Sequence, residues 1–195
     1  MTDRIFENVV TTCSPAGMVH VAPMGVRYLD GEVVLKPFRP SQTLDNILAT
    51  RRAVLNVITD VRVFAGCVTR RRDWPTVPVN APDGSTGARL ACAHSHALLC
   101  VAAVDEDAQR PTLRLARMHE VQHSAFAGFN RAQAAVIEGA VLVSRLHLLP
   151  PQKIAAELAY LQIAIERTAG PEELEAWSWL LEAVARHRVL AAEAA

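Results

Sequence analysis

A chain of 195 residues, 51% hydrophobic and 21% charged, carries enough apolar side chains for one domain, or for a barrel-sized domain with a helical appendage, and this excludes a disordered chain. Lys+Arg and Asp+Glu both count 20, so no basic excess draws nucleic acid or an anionic membrane surface. No apolar run reaches the ~18 residues of a membrane-spanning helix. Asp3, Arg4 and Glu7 sit where a secretion signal needs apolar residues, and Cys13, Cys67, Cys92 and Cys100 show no C-x-x-C spacing. The expectation is a cytoplasmic protein with reduced thiols.

In chain order, residues 6–13 are β-branched and apolar enough for a strand, Ser14-Pro15-Ala16-Gly17 signals a turn, and 18–24 returns. Residues 26–29 and 32–36 form a second hairpin around Asp30-Gly31. Pro40 ends the strand, Ser41 is a good N-cap, and Leu44, Ile47 and Leu48 make one apolar helical face. A buried strand follows at 53–58. Short strands at close spacing with one crossing helix suggest a small antiparallel barrel. Residues 61–68 fit helix or strand. The segment 69–86, with Pro75, Pro78, Pro82 and Gly84, reads as a lid, binding loop or mobile insert, and Arg70-Arg71-Arg72 beside Trp74 as a solvated loop. Strands at 98–104 and 113–121 complete the barrel.

Beyond that the composition turns to Ala, Leu and Glu. Asn130 with Gln133 suggests a capping box opening a first helix that closes at Pro150-Pro151. Pro151 opens a second helix faced by Ile154, Leu158, Leu161 and Ile165; Gly170-Pro171 separates it from a third, faced by Leu174, Trp177, Leu181 and Val184. Arg131 and Glu138, two turns apart, read as a structural ion pair anchoring the helices to the barrel, with a reach into a partner's active site as the alternative. The fold class is α+β, with a barrel domain over 1–123 and a three-helix region over 124–195.

Ser41 and Thr43 place two hydroxyls beside the unsatisfied N–H groups of a helix start, where an anion is favoured, with Arg27, Lys36 and Arg39 close in sequence. Taken alone, these residues read first as an ordinary capped surface helix and only second as an anion site. A second motif is His119-Glu120-Val121-Gln122-His123, a literal H-E-x-x-H, which on a helix holds zinc with the Glu as base of a hydrolase. Leu113-x-Leu115-x-Arg117 leads into it with period two, however, and on a strand the imidazoles stand about 13 Å apart. His94-x-His96 with Cys92 nearby is ordinarily a loop or surface pair, and no metal is expected.

Ser41-x-Thr43-x-x-Asn46-Ile47 followed by Val54-x-Asn56-Val57 resembles the pattern of flavin-reductase-like split barrels. More closely, the chain resembles the family known as domain of unknown function 447. Three blocks carry that likeness: Ala22-Pro23-Met24-Gly25-Val26-Arg27; Leu35-Lys36-Pro37-Phe38 with Ser41-x-Thr43-x-x-Asn46; and Phe129-Asn130-Arg131-Ala132 with Ala135-Val136-Ile137-Glu138. The resemblance implies an FMN-binding split β-barrel followed by a three-helix region, assembled as a homodimer with two flavin sites at the subunit interface. It implies an oxidoreductase moving hydride or electrons between a nicotinamide or pterin-like donor and an unnamed small-molecule acceptor. The family occurs in archaea and in bacteria carrying tetrahydromethanopterin, which suggests one-carbon metabolism, although no residue encodes that link. By the same resemblance Ser41, Thr43 and Asn46, with Arg27 and Lys36, meet the FMN phosphate. Pro23, Met24, Gly25 and Val26 form the strand edge along the isoalloxazine, and Asn56, Thr59 and Asp60 reach the ribityl chain or pyrimidine edge. For Asn56 a purely structural role reads equally well. No catalytic acid or base is implied, and a flavin-binding module without turnover is the alternative.

Overall fold

The computed structural model describes residues 4–71 and 73–193, so Asp3 and Arg72 lie outside the described residues. Two units group by their contacts: Met1–Ile58 with Asp73–Phe126, and Thr59–Arg72 with Ala127–Ala195.

In the first unit β1 (Phe6–Cys13), β2 (Val19–Leu29), β3 (Glu32–Leu35), β4 (Arg52–Val57), β7 (Ser95–Asp105) and β8 (Thr112–Gln122) close into an antiparallel barrel in the order β1-β2-β3-β8-β7-β4. The two strands expected at 18–24 and 26–29 are one. β1 pairs with β2 without interruption from Phe6↔Val26 to Cys13↔Val19, so Gly25 sits inside a continuous ladder. Val10, Val26, Leu35, Leu55, Leu99 and Leu113 fill the barrel. Helix α1 (Gln42–Thr50) adds Leu44 and Ile47, both fully buried, to the same core.

The stretch expected to be a lid or mobile insert is instead a β-hairpin, β5 (Thr76–Asn80) and β6 (Thr86–Leu90), fixed to the barrel. Val79 and Ala81 pack on Val54 and Leu98. A Cβ on Gly87 would stand 2.7 Å from Val54 Cγ2, so the two layers meet without room for a side chain. Thr11 Oγ1 donates to the Ala88 carbonyl, and Asn56 Oδ1 accepts from Leu90 N at 2.8 Å. A hairpin held by apolar contact and buried hydrogen bonds is a wall of the domain.

The second unit contains α2 (Arg62–Val68), α3 (Arg131–Ser144), α4 (Pro151–Thr168) and α5 (Pro171–Glu193). The ambiguous 61–68 stretch is thus helical, with Val63, Phe64 and Ala65 buried. Arg62 at its start donates to Asp60 at 2.8 Å and to Glu172 at 3.0 Å, and its pKa is raised by those partners. The Asn130 cap forms as expected, its Oδ1 accepting from Ala132 N at 2.7 Å, but Gln133 does not complete the box. Its amide goes to Glu173 Oε1 at 3.0 Å, while Glu173 Oε2 caps α5 by accepting from Gly170 N at 2.9 Å. Arg131 and Glu138 form no ion pair among the described residues. None of the described helices is long and apolar enough to cross a membrane.

Gly139 gives a direct test of this packing. Its Cβ would lie 2.8 Å from Trp177 Cζ3 and 3.0 Å from Leu180 Cδ1. Although Ala favours helix by about 1 kcal/mol over Gly, overpacking against a buried indole costs about 1–3 kcal/mol. Gly139→Ala is therefore expected to lower the urea midpoint; a raised midpoint would show that α3 and α5 are not in contact there.

Candidate functional site

β2 is flanked by β1 and β3, which cover different parts of it. One edge pairs with β1 from Val19 to Val26, while the other meets β3 only from Val26↔Leu35 to Leu29↔Glu32. No strand among the described residues is laddered to residues 22–25 on that side. The chain leaving β3 crosses there as Lys36-Pro37-Phe38-Arg39-Pro40 and turns into α1. A pocket of about 380 Å³ lies between the two, lined by Pro23, Met24, Gly25, Lys36, Ser41 and Thr43 among others. Its size falls in the range of ~300–1,000 Å³ that small ligands and cofactors occupy.

Ser41 is extended (φ −154°, ψ 123°), and its hydroxyl accepts from Leu44 N at 3.4 Å while its carbonyl takes Asp45 N at 3.0 Å. The amides of Gln42 and Thr43 precede the first intrahelical bonds and so remain available, together with the positive end of the helix. Asn46 steadies the helix from below. Its Nδ2 donates to Thr12 Oγ1 at 3.0 Å and its Oδ1 accepts from Gln42 Nε2 at 2.8 Å, so it holds the site from behind and is buried.

Two cations line the pocket. Lys36 was foreseen; Arg110 was not. Arg110 comes from the β7–β8 loop, whose turn is tied by Asp107 Oδ1 accepting from Gln109 N and Arg110 N at 2.8 and 2.6 Å. Those amides hold the Asp107 carboxyl below its usual range. Arg110 Nε then donates to the Lys36 carbonyl at 2.9 Å, and its guanidinium stacks 4.4 Å above Phe38. Arg39 turns away to Glu106, 2.8 Å distant.

The remaining expected residues are elsewhere. Val26 is fully buried in the barrel core. Arg27 lines a separate, larger cavity. Asn56 is fully buried: its Nδ2 donates to Val9 O at 3.1 Å, Val54 O at 3.1 Å and Thr11 Oγ1 at 3.2 Å, besides the bond its Oδ1 accepts from Leu90. Every polar atom of its side chain is thereby hydrogen-bonded within the barrel and its hairpin. Thr59 and Asp60 belong to the second unit, where Asp60 binds Arg62.

The H-E-x-x-H motif lies on and just beyond β8, not on a helix. His96 draws its two histidines together from the neighbouring strand. His123 stacks on it with centroids 5.0 Å apart and a 2.8 Å Nε2–Nδ1 contact, and His119 meets it edge-on at 6.4 Å. Among the described residues no group of three or more His, Cys, Asp or Glu is arranged to hold a metal ion. Burial first, then the neighbouring His123 and Arg89, push the His96 pKa down to about 4.

An imidazole kept neutral by the fold but free to ionise when unfolded makes stability pH-dependent. The unfolded chain binds the extra proton from about pH 6.5 downward. Stability is thus complete above that pH and falls as the pH drops toward 4, by up to about 3 kcal/mol. Urea midpoints measured from pH 7 to 4 are expected to fall less steeply in His96→Gln than in the parent. Parallel slopes would remove His96 as the source.

A closed barrel with a crossing helix and an open strand edge defines a flavin-reductase-like split-barrel fold in an α+β chain. The chain belongs to the family described as protein of unknown function (DUF447), whose N-terminal domain matches residues 6–124 and whose C-terminal part matches 130–182. Among solved structures it is similar to an FMN-bound protein of that family from Methanosarcina mazei, with a TM-score of 0.80 and 19% identity over 93% of this chain and 95% of the other. It is also similar to the 2-nitrobenzoate 2-nitroreductase of Pseudomonas fluorescens, with a TM-score of 0.50 and 18% identity over 63% and 66% of the two chains. A flavoredoxin from Methanosarcina acetivorans gives a TM-score of 0.50 and 8% identity over 61% and 69%. At these identities the likeness is one of fold. No curated protein matches the sequence.

Proposed function

We propose that this chain is an FMN-binding flavoprotein, an oxidoreductase of the cytoplasm that works as a homodimer. The observation that carries the proposal is the convergence, in one pocket, of the strand edge at residues 22–25, which lies beyond the β2–β3 ladder, a capped helix start and two cations. Each matches one part of the cofactor. The phosphate fits the Ser41 and Thr43 hydroxyls and the first amides of α1, with Arg110 supplying charge-assisted bonds. The flat ring, polar along one edge, fits the backbone of residues 22–25; the side-chain position of Gly25 is taken by Ile5, whose Cγ2 a Cβ there would meet at 2.9 Å. Lys36 directly follows Leu35, the last β3 residue paired with β2, and lines the pocket together with Gly25.

FMN, when bound, supplies the acceptance and return of a hydride or single electrons. This chain's residues then bind, orient and shelter it; the pocket contains no carboxylate among the residues that line it. The homodimer rests on the family resemblance. The Methanosarcina mazei protein of the same family holds FMN, which supports the cofactor assignment.

The visible spectrum of purified protein given FMN and freed of excess is expected to show flavin bands, and anaerobic NADH or NADPH is expected to bleach them. A bound flavin that stays oxidised would favour a binding module, and a colourless protein would contradict the proposal.

A further inference from the structure

A second cavity, of about 770 Å³, adjoins the flavin pocket through Lys36, which lines both. Its floor is Val34 on β3, and its wall is aromatic: Phe6 and Tyr28 pack with ring centroids 5.2 Å apart and remain 44% and 42% exposed. Its rim is cationic, with Arg4, Arg27, Lys36 and Arg114 against one lining carboxylate, Asp105. Arg114 is already neutralised by Glu32 at 2.6 Å, whereas Arg4 and Lys36 take part in no ion pair among the described residues. Half-exposed aromatic surface, with the Arg117 guanidinium 5.1 Å from the Tyr28 ring centroid and unpaired cations beside it, suits a ligand that is flat at one end and anionic at the other.

We propose that this cavity takes the protein's second substrate, a planar aromatic molecule bearing a carboxylate or phosphate, its ring against Phe6 and Tyr28 and its anion on Lys36 and Arg4. The proposal rests on the flavin reading for the word substrate, but the binding site is built from residues outside the flavin pocket except for Lys36. Lys36 lines both cavities, so a ligand anchored to its ammonium group lies at the boundary with the flavin pocket. That shared lysine is what makes the cavity a reaction partner's site.

The test is calorimetric titration with 1-naphthyl phosphate, using protein both free of FMN and saturated with it, with 1-naphthol and inorganic phosphate as the two halves of the probe. 1-Naphthyl phosphate is expected to bind both forms at least tenfold more tightly than either half. Tyr28→Ala, on an exposed ring, and Arg4→Gln, ahead of the first strand, are each expected to weaken it at least fivefold and to leave FMN affinity unchanged. The absence of saturable binding, or equal binding of 1-naphthol, would overturn the proposal. So would a probe displaced by FMN and indifferent to Tyr28→Ala, which would place it in the flavin pocket. Should the protein take up no FMN, the flavin reading fails by itself, and the titration of the FMN-free protein still decides the anion site.

Discussion

Ser41→Asp is expected to leave helix α1 intact and to abolish most of the affinity for FMN. Aspartate caps a helix as well as serine does, so the bond now accepted from Leu44 N is kept, and the melting temperature should stay within a degree or two of the parent. The same carboxylate would face the phosphate. Two unit charges about 4 Å apart at an effective dielectric constant of about 20 repel by about 4 kcal/mol, and screening lowers this to about 2–4 kcal/mol. FMN binding should therefore weaken roughly 30- to 1,000-fold. Ser41→Ala and Thr43→Ala delete one hydrogen bond each to a charged group and should cost about 1–2 kcal/mol. An aspartate variant that folds normally and binds FMN as the parent does would place the phosphate elsewhere.

Asn56→Leu is expected to do the reverse: large loss of stability, little change in flavin affinity once folded. Leucine matches asparagine in size, so cavity formation is not the issue. Four hydrogen bonds vanish, and the Leu90 amide and the Val9 carbonyl lose a partner in a place that water does not reach. Buried groups left unsatisfied cost about 1–3 kcal/mol each, so a total of about 3–5 kcal/mol is expected. In a chain of this size that lowers the melting temperature by roughly 6–20 °C. Because Asn56 joins β1, β4 and β6, proteolysis within the 76–90 hairpin should also accelerate. A variant as stable as the parent would show that the hairpin is not held through Asn56.

The contrast between Ser41 and Asn56 shows what was legible from sequence. Ser41 carries its meaning locally: a proline before it, helical periodicity after it, and a cap that forms in any context. The strand at 6–13 and the proline-bounded starts of α4 and α5 are legible for the same reason. Asn56 sits in an equally recognisable Val-x-Asn-Val string, but its partners, Val9 and Leu90, are brought to it by the barrel closure and by a hairpin that periodicity hides. Pro78 lies inside β5 and the turn residues cluster around Gly84, so that hairpin reads as loop until its contacts with Val54 and Leu98 are seen. The 61–68 helix was equally obscured, since Val61 offers no side-chain cap and burial of Phe64 and its neighbours decides its form. Arg110 illustrates the non-local limit. Nothing near Gln109-Arg110-Pro111 signals an anion site, and only the loop anchored at Asp107 brings it to Lys36 and Phe38.

Comparison of FMN with riboflavin tests the assignment of the helix start most directly, because the two ligands differ only by the phosphate. Titrated into the cofactor-free protein, FMN is expected to bind at least about a hundredfold more tightly than riboflavin, since several charge-assisted bonds at about 1.5–3 kcal/mol each are at stake. In Ser41→Asp that preference should shrink or invert. Equal affinities for the two flavins, or a preference unmoved by the aspartate, would contradict the placement of the phosphate at Ser41 and Thr43.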